Sequence, residues 1–161
     1  MEVISTLAQL AAVGLLGWVA VHDARHFRIR NATVLAMLGL YVLAQGAMLF
    51  PTLPGDLLVG GLLFGVGFVM WLLRALGAGD VKLMLPLGMM LGVQGVLPFA
   101  VLLMVLSLVF YLLIVIFWKF RAETGPWGWF ARMKAEGRVP YGVLLALAGA
   151  PVLFIHAIWN V

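Results

Sequence analysis

Long apolar runs, separated by short charged or proline- and glycine-rich breaks, fill most of the chain. The breaks fall at about 23–31, 50–56, 74–80, 94–98 and 119–138. A membrane-spanning helix needs roughly 20 mostly apolar residues. The pattern therefore predicts an all-α, polytopic membrane protein with a single domain, 1–161, and about six transmembrane helices over 3–22, 32–49, 57–73, 81–93, 99–118 and 139–159. The fourth run is short enough to predict a thin or partly re-entrant segment.

The composition agrees with lipid as the main solvent of the chain. Hydrophobic residues make up 65% of the 161 residues and charged residues only 10%, which is more apolar than a water-soluble domain. The first apolar run follows Glu2 instead of a basic segment, so we interpret it as a retained helix and not as a signal peptide. Cysteine is absent, which excludes a thiolate metal site and a cysteine nucleophile.

The basic residues predict the orientation. All ten Lys and Arg residues lie in or beside three breaks, and with six spans these breaks share one side of the membrane: Arg25, Arg28 and Arg30; Arg74 and Lys82, which flank the break 74–80; Lys119, Arg121, Arg132, Lys134 and Arg138. Because Lys and Arg concentrate on the cytoplasmic side, we expect the loop 119–138 to be cytoplasmic and both termini to be extracytoplasmic. We interpret the net charge of +4 as a sign of contact with anionic membrane lipid, and not of nucleic-acid binding.

Two carboxylates stand out, because charged groups at the ends of membrane spans are costly and are therefore candidates for function. Asp23 ends the first span and Asp80 begins the fourth, and the predicted topology puts both at the cytoplasmic face. If their helices are neighbours, the pair shares one proton, as an aspartyl dyad requires for peptide hydrolysis. Gly77 and Gly79 would let an extended peptide approach Asp80 closely.

Structural roles and another function class also remain open for these residues. Asp23 would pair with a neighbouring basic side chain, and Asp80 would cap the helix that follows it. Lys82 is either a snorkelling anchor or a group that tunes Asp80 or holds a substrate carbonyl. A small proton-coupled transporter or secretion-assembly subunit would use both carboxylates as proton carriers, and a bundle without chemistry would need neither.

Other catalytic groups are poorly supported. His22, Asp23 and His26 cluster, and the two histidines have the spacing of paired metal ligands on a helix. The glutamate that follows the first histidine in helical zinc hydrolases is missing, so we expect neither a metal nor a cofactor. The two serines, Ser5 and Ser107, are remote from Asp23 in the predicted topology. A serine protease mechanism is therefore disfavoured.

Three short motifs together resemble a known family. Gly77-Ala78-Gly79-Asp80 with Lys82 is similar to its G-x-G-D-x-K motif, and Asp23 with the downstream Ile29-Arg30-Asn31 is similar to its first-span aspartate and I-P-N segment. Pro140-Tyr141-Gly142 is similar to the P-Y-G that opens its last span. The chain thus resembles the type IV prepilin peptidases of the GxGD aspartyl protease class, specifically the short Tad-type (Flp pilus) form. Arg30 stands where the family usually has proline.

The resemblance implies an aspartic endopeptidase of the inner (plasma) membrane. It would remove the basic leader peptide from Flp/Tad-like prepilins at the cytoplasmic face. A homo-oligomer is compatible with this role. Larger members carry a cysteine-containing domain associated with zinc and with methylation of the new N-terminus, so we expect peptidase activity alone here. The implied site comprises catalytic Asp23 and Asp80; the supporting loop residues Gly77, Gly79 and Lys82; and the substrate contacts Asn31, Pro140, Tyr141 and Gly142.

Overall fold

The computed structural model describes residues 1–119 and 140–159, and this part of the chain is all-α as predicted. Four of its helices are long and apolar enough to cross a membrane; in the longest of them this applies to Ala78–Val115. A fifth helix is apolar but shorter. Apart from its first residue, the predicted loop 119–138 lies outside the described residues. The helices are α1 (Glu2–His26), α2 (Asn31–Gly46), α3 (Leu53–Leu72), α4 (Ala78–Lys119) and α5 (Tyr141–Trp159), of which α2 is the shorter one.

Residues with a left-handed backbone conformation (positive φ) lie at or shortly after the ends of the first three helices. Phe27 (φ 50°) ends α1 and donates its N–H to the Asp23 carbonyl at 2.8 Å. Phe50 (φ 54°) follows α2 and Arg74 (φ 60°) follows α3. Such turns provide donors for carbonyl groups that have no partner inside the helix. The chain can therefore reverse direction over a few residues.

Helix α5 is the most deeply buried of the candidate membrane spans. It packs against both α1 and α4, whereas α2 lies against α1 and α4, and α3 lies against α4. Half of the apolar window of α5 is buried inside the protein, a larger share than in the other candidate spans. Helices α5 and α2, which both contact α1 and α4, therefore determine how α1 and α4 sit relative to each other.

Glycines bring α3 and the first part of α4 into backbone contact. A Cβ added at Gly88 would lie 2.9 Å from the Gly60 Cα atom, and one added at Gly60 would lie 2.8 Å from the Leu85 carbonyl oxygen. Nearer the end of α3, Gly67 lies against the side chain of Met84. Small residues permit this close approach of membrane helices. The contacts fix how far α4 can shift along α3.

The break in α4 differs from the prediction. Residues 94–98, predicted as a loop between two spans, are helical, and the helix is interrupted at Gly92 (φ 60°, ψ −172°). Gln94 and Pro98 indicated a loop, but this backbone conformation, which is essentially restricted to glycine, redirects the helix without one.

The segment 78–91 of α4 is about 21 Å long at 1.5 Å per residue, which is shorter than a hydrocarbon core of about 30 Å. The six crossings and the outside position of the termini stay predictions.

Asp56 occupies a buried site, although the sequence places it in a break. It is only 2% exposed, and its Oδ2 atom accepts hydrogen bonds from the Tyr41 hydroxyl at 3.0 Å and the Thr52 hydroxyl at 2.8 Å. A Cβ added at Gly92 would lie 3.0 Å from its Oδ1 atom. One carboxylate thus joins α2, the first turn of α3 and the interruption of α4.

We expect Gly88→Ala to destabilise the protein, because the new methyl group collides with the backbone of α3. Overpacking of this kind typically costs about 1–3 kcal/mol, which exceeds the gain of up to about 1 kcal/mol in helix propensity. Gly61→Ala is the matched control, since a Cβ there meets no atom within 4 Å. Thermal unfolding in detergent should show a lower midpoint for Gly88→Ala alone. Equal midpoints for both variants would contradict the contact.

Candidate active site

Asp23 and Asp80 lie at the same end of the bundle, where α1 ends and α4 begins. Asp23 is 3% exposed and Asp80 is 7% exposed, so both carboxyl groups are withdrawn from the surface. They are close enough for the charge of Asp23 to act on Asp80. The structure therefore brings together the two acidic residues that the sequence singles out.

The start of α4 orients Asp80. The Gly77 N–H donates a hydrogen bond to Asp80 Oδ2 at 3.1 Å, which resembles the half of a capping box in which an acidic residue reaches back to the N-cap amide. A Cβ added at Gly77 would lie 2.8 Å from the same oxygen. Asp80 is therefore not the N-cap residue that the sequence suggested: it is the third residue of α4, and its hydrogen bond with the Gly77 amide holds the carboxylate in one direction.

Asp23 lies on the buried stripe of α1 that also includes Leu16 and Val19. Its Oδ2 atom is buried and accepts no hydrogen bond from any residue that the structure describes. A buried carboxylate oxygen without a donor is costly, and groups left in this state call for an explanation such as a water molecule or a bound substrate. Asp23 therefore has an acceptor available for chemistry.

The first turn of α5 lies against both carboxylates. The backbone amide of Gly142 faces Asp23 and Asp80, and the amide of Val143, which donates to the Pro140 carbonyl at 3.1 Å, also faces Asp23. Amides in the first turn of a helix have no acceptor inside it and favour negative charge nearby. A Cβ added at Gly142 would lie 2.8 Å from Asp23 Oδ2. Only glycine leaves room for this approach.

Ile29, which the sequence analysis does not assign to the site, closes it from the side of the loop between α1 and α2. Although it lies between two arginines, it is 7% exposed. A Cβ added at Gly79 would lie 3.1 Å from the Ile29 Cβ atom, and one added at Gly142 would lie 2.9 Å from its Cδ1 atom. The signal in the sequence is an isolated apolar residue within a basic segment.

The remaining predicted site residues are arranged around this centre. The Lys82 Nζ atom donates a hydrogen bond to Asn31 Oδ1 at 3.2 Å, and both side chains are exposed. This contact connects the second turn of α4 with the first turn of α2. Pro140 is fully buried immediately before α5, and Tyr141 is the first residue of that helix.

His22 and His26 belong to a different face of α1. Their rings stack on each other at a centroid distance of 4.3 Å, and His22 also stacks on Trp18 at 4.7 Å. Asp23 instead points to α5. Within 1–119 and 140–159, no group of three or more histidine, cysteine or acidic residues is placed to hold a metal ion.

This arrangement suits acid and base catalysis. Two buried carboxyl groups that interact with each other and with one amide can hold a single proton between them. One then acts as a base and the other as an acid on a molecule bound between them.

Comparison with known proteins agrees with this chemistry. A family model described as the type IV leader peptidase family matches residues 10–118. The matched region is more than half of the chain, and it includes Asp23, Gly77, Gly79, Asp80 and Lys82. No curated protein and no solved structure matches the chain.

Proposed function

The chain belongs to the type IV leader peptidase family, and we propose that it is an intramembrane aspartyl endopeptidase in which Asp23 and Asp80 are the catalytic pair. The family indicates a protease with prepilins as its substrates. Several apolar helices agree with an integral membrane protein. The peptidase is therefore favoured over the transporter that the acidic residues alone leave open.

The proposed reaction is the addition of water to the scissile amide. The ionised carboxylate removes a proton from water, and the oxygen attacks the carbonyl carbon while the protonated carboxyl group gives its proton to the carbonyl oxygen. The tetrahedral intermediate then collapses. Its C–N bond breaks as the amine nitrogen takes the proton removed from water, and a hydroxyl proton of the intermediate returns to the other carboxylate. Both groups regain their starting states.

One observation carries this proposal, namely that the Gly142 amide faces two buried carboxylates from separate helices. In the structural aspartate Asp56, Oδ2 accepts two hydrogen bonds, from the Tyr41 and Thr52 hydroxyl groups. Asp23 Oδ2 has no donor among the described residues. This oxygen is the natural position for the attacking water.

The location of the pair fits the proposed substrate. A prepilin has a basic leader, then the scissile bond, then a hydrophobic helix. A pair at the cytoplasmic face of the inner membrane would reach the bond without moving charge into the hydrocarbon. Asn31, Tyr141 and Gly142 would contact the extended segment around the bond, whereas Pro140, predicted as a fourth contact, is fully buried and would not reach it. We propose a short Flp/Tad-type member that acts as a peptidase alone.

Replacing either catalytic carboxylate should abolish leader removal. Asp23→Asn and Asp80→Asn each keep the shape of the side chain but remove the group that exchanges protons, so we expect a loss of at least about 100-fold. The measurement is the fraction of a co-expressed Flp-type prepilin that loses its leader, followed on a gel.

Asp56→Asn is the matched control, because it makes the same change in a third buried aspartate, which lies beside the interruption of α4 at Gly92. Its amide oxygen still accepts the Tyr41 and Thr52 hydrogen bonds, so cleavage should continue. Wild-type processing by Asp23→Asn or Asp80→Asn would refute the proposed pair.

Gly142→Ala should slow cleavage without unfolding the protein. Its methyl group would displace the Asp23 carboxylate and Ile29, and misplacement of a catalytic group by about 1 Å can cost roughly 100-fold in rate. We expect the loss mainly in kcat. Gly17→Ala in α1 is the control, because a Cβ there meets no atom within 4 Å. A Gly142→Ala enzyme as fast as this control would show that the close approach is unimportant.

A further inference from the structure

Two cavities lie on the outer face of α1 and α2, and we call them together the groove. At the end near the pair, a cavity of about 630 Å³ is lined by His22, His26, Arg28, Arg30 and Asn31 among others. We call this cavity the basic mouth. Farther along the two helices, an open cavity of about 820 Å³ is lined by apolar residues that include Ala11, Leu15, Leu35, Gly39 and Leu43. We call it the apolar trough.

The two cavities follow one another on the same helix faces. Ala11, Leu15, His22 and His26 recur at spacings of four, seven and four residues, which keeps them on one stripe of α1. Leu35, Gly39 and Leu43 recur every four residues on α2. The 15 residues from Ala11 to His26 cover about 22 Å at 1.5 Å per residue. That length suits a lipid headgroup together with much of one acyl chain in a bilayer core about 30 Å thick.

The chemistry changes sharply along this groove. The basic mouth has two arginines and two histidines, and none of its lining residues is acidic. Its lining includes Asn31 and Ala32, the first two residues of α2, and the start of a helix favours an anion. In the trough, Leu35 is 66% exposed and Leu43 is 58% exposed, so its surface is apolar and uncovered. An occupant must therefore be anionic at one end and hydrocarbon along the rest.

We propose that this groove binds one anionic phospholipid, with its phosphate in the basic mouth and an acyl chain in the apolar trough. Arg28 and Arg30 bind the phosphate by charge and hydrogen bonding, and Gly39 leaves space for the chain. The hydrophobic helix of a prepilin is a poorer match, because its basic leader would meet the positive charge of the mouth. This site goes beyond the proposed peptidase function, and it does not depend on it.

The site would adjoin the peptidase centre through a single loop. Arg28 and Arg30 flank Ile29, whose side chain lies against Gly79 and Gly142 on the inner side. A lipid phosphate held by the two arginines would thus restrain the loop that closes the carboxylate pair. The lipid would not contact Asp23, which faces α5.

Native mass spectrometry of the purified full chain tests the proposal by counting bound lipids. The protein is equilibrated with detergent micelles that contain phosphatidylglycerol or phosphatidylcholine. We expect one phosphatidylglycerol to be retained in preference to phosphatidylcholine. The double variant Arg28→Gln/Arg30→Gln should weaken phosphatidylglycerol binding about 30-fold, from about 1 kcal/mol per basic residue.

A second variant tests the trough without a change in charge. A Cβ added at Gly39 meets no atom within 4 Å, so Gly39→Leu should fold normally while its side chain fills the trough. We expect it to reduce lipid retention, because the acyl segment loses its packing contacts with the trough. Gly61→Leu on α3 is the matched control, because that position is equally open and lies outside the groove.

Three other results would contradict the proposal, and each would indicate a different explanation. Equal retention of the two lipids would show that the mouth does not select an anion. Displacement of the lipid by excess inorganic phosphate would assign the mouth to free phosphate. Unchanged lipid retention in Gly39→Leu, together with a raised KM for prepilin, would assign the trough to the substrate helix. Because lipid counting needs no cleavage, failure of the peptidase proposal would leave this result unaffected.

Discussion

The amide of Gly142 faces two carboxylates that lie on different helices, and the proposed active site depends on this contact. In the described part of the chain, α1 packs mainly against α5 and α2, while α4 packs mainly against α3, α5 and α2. Asp23 and Asp80 therefore approach each other because α5 lies against both of their helices. A side chain at position 142 would separate the amide from Asp23. A positive helix end beside two buried acids also favours the single negative charge that the pair must hold.

The remainder of the bundle fixes the position of Asp80. Backbone contacts between Gly60 and Gly88 prevent α4 from moving along α3. At the far end of this contact, Asp56 joins α2 and α3 to the interruption at Gly92. Asp80 is therefore carried by the rigid part of α4, held at both ends. Precise placement of a catalytic group requires this kind of support, because small displacements cost large factors in rate.

The sequence predicts the class of structure and the family, because both depend on strong signals. An all-α protein and a prepilin peptidase are confirmed, whereas the catalytic roles and the Tad-type form stay predictions. Asp23 and Asp80 are easy to single out, since acidic groups are rare in an apolar chain. The loop predicted at 94–98 was wrong because Gln94 and Pro98 are compatible with a helix once Gly92 has redirected it. The role of Ile29 depends on contacts with residues 50 and 113 positions away, and local patterns carry no information about them.

The central claim is that Asp23 and Asp80 act as one unit, and the rates of single and double variants test it most directly. The purified chain, Asp23→Asn, Asp80→Asn and the double variant would be reconstituted in lipid and assayed on one prepilin. Groups that share a proton lose their function together, so their losses are not additive. We predict that the double variant is no slower than the slower single variant. Losses that multiply in the double variant would mean that the carboxylates act independently and would contradict the account.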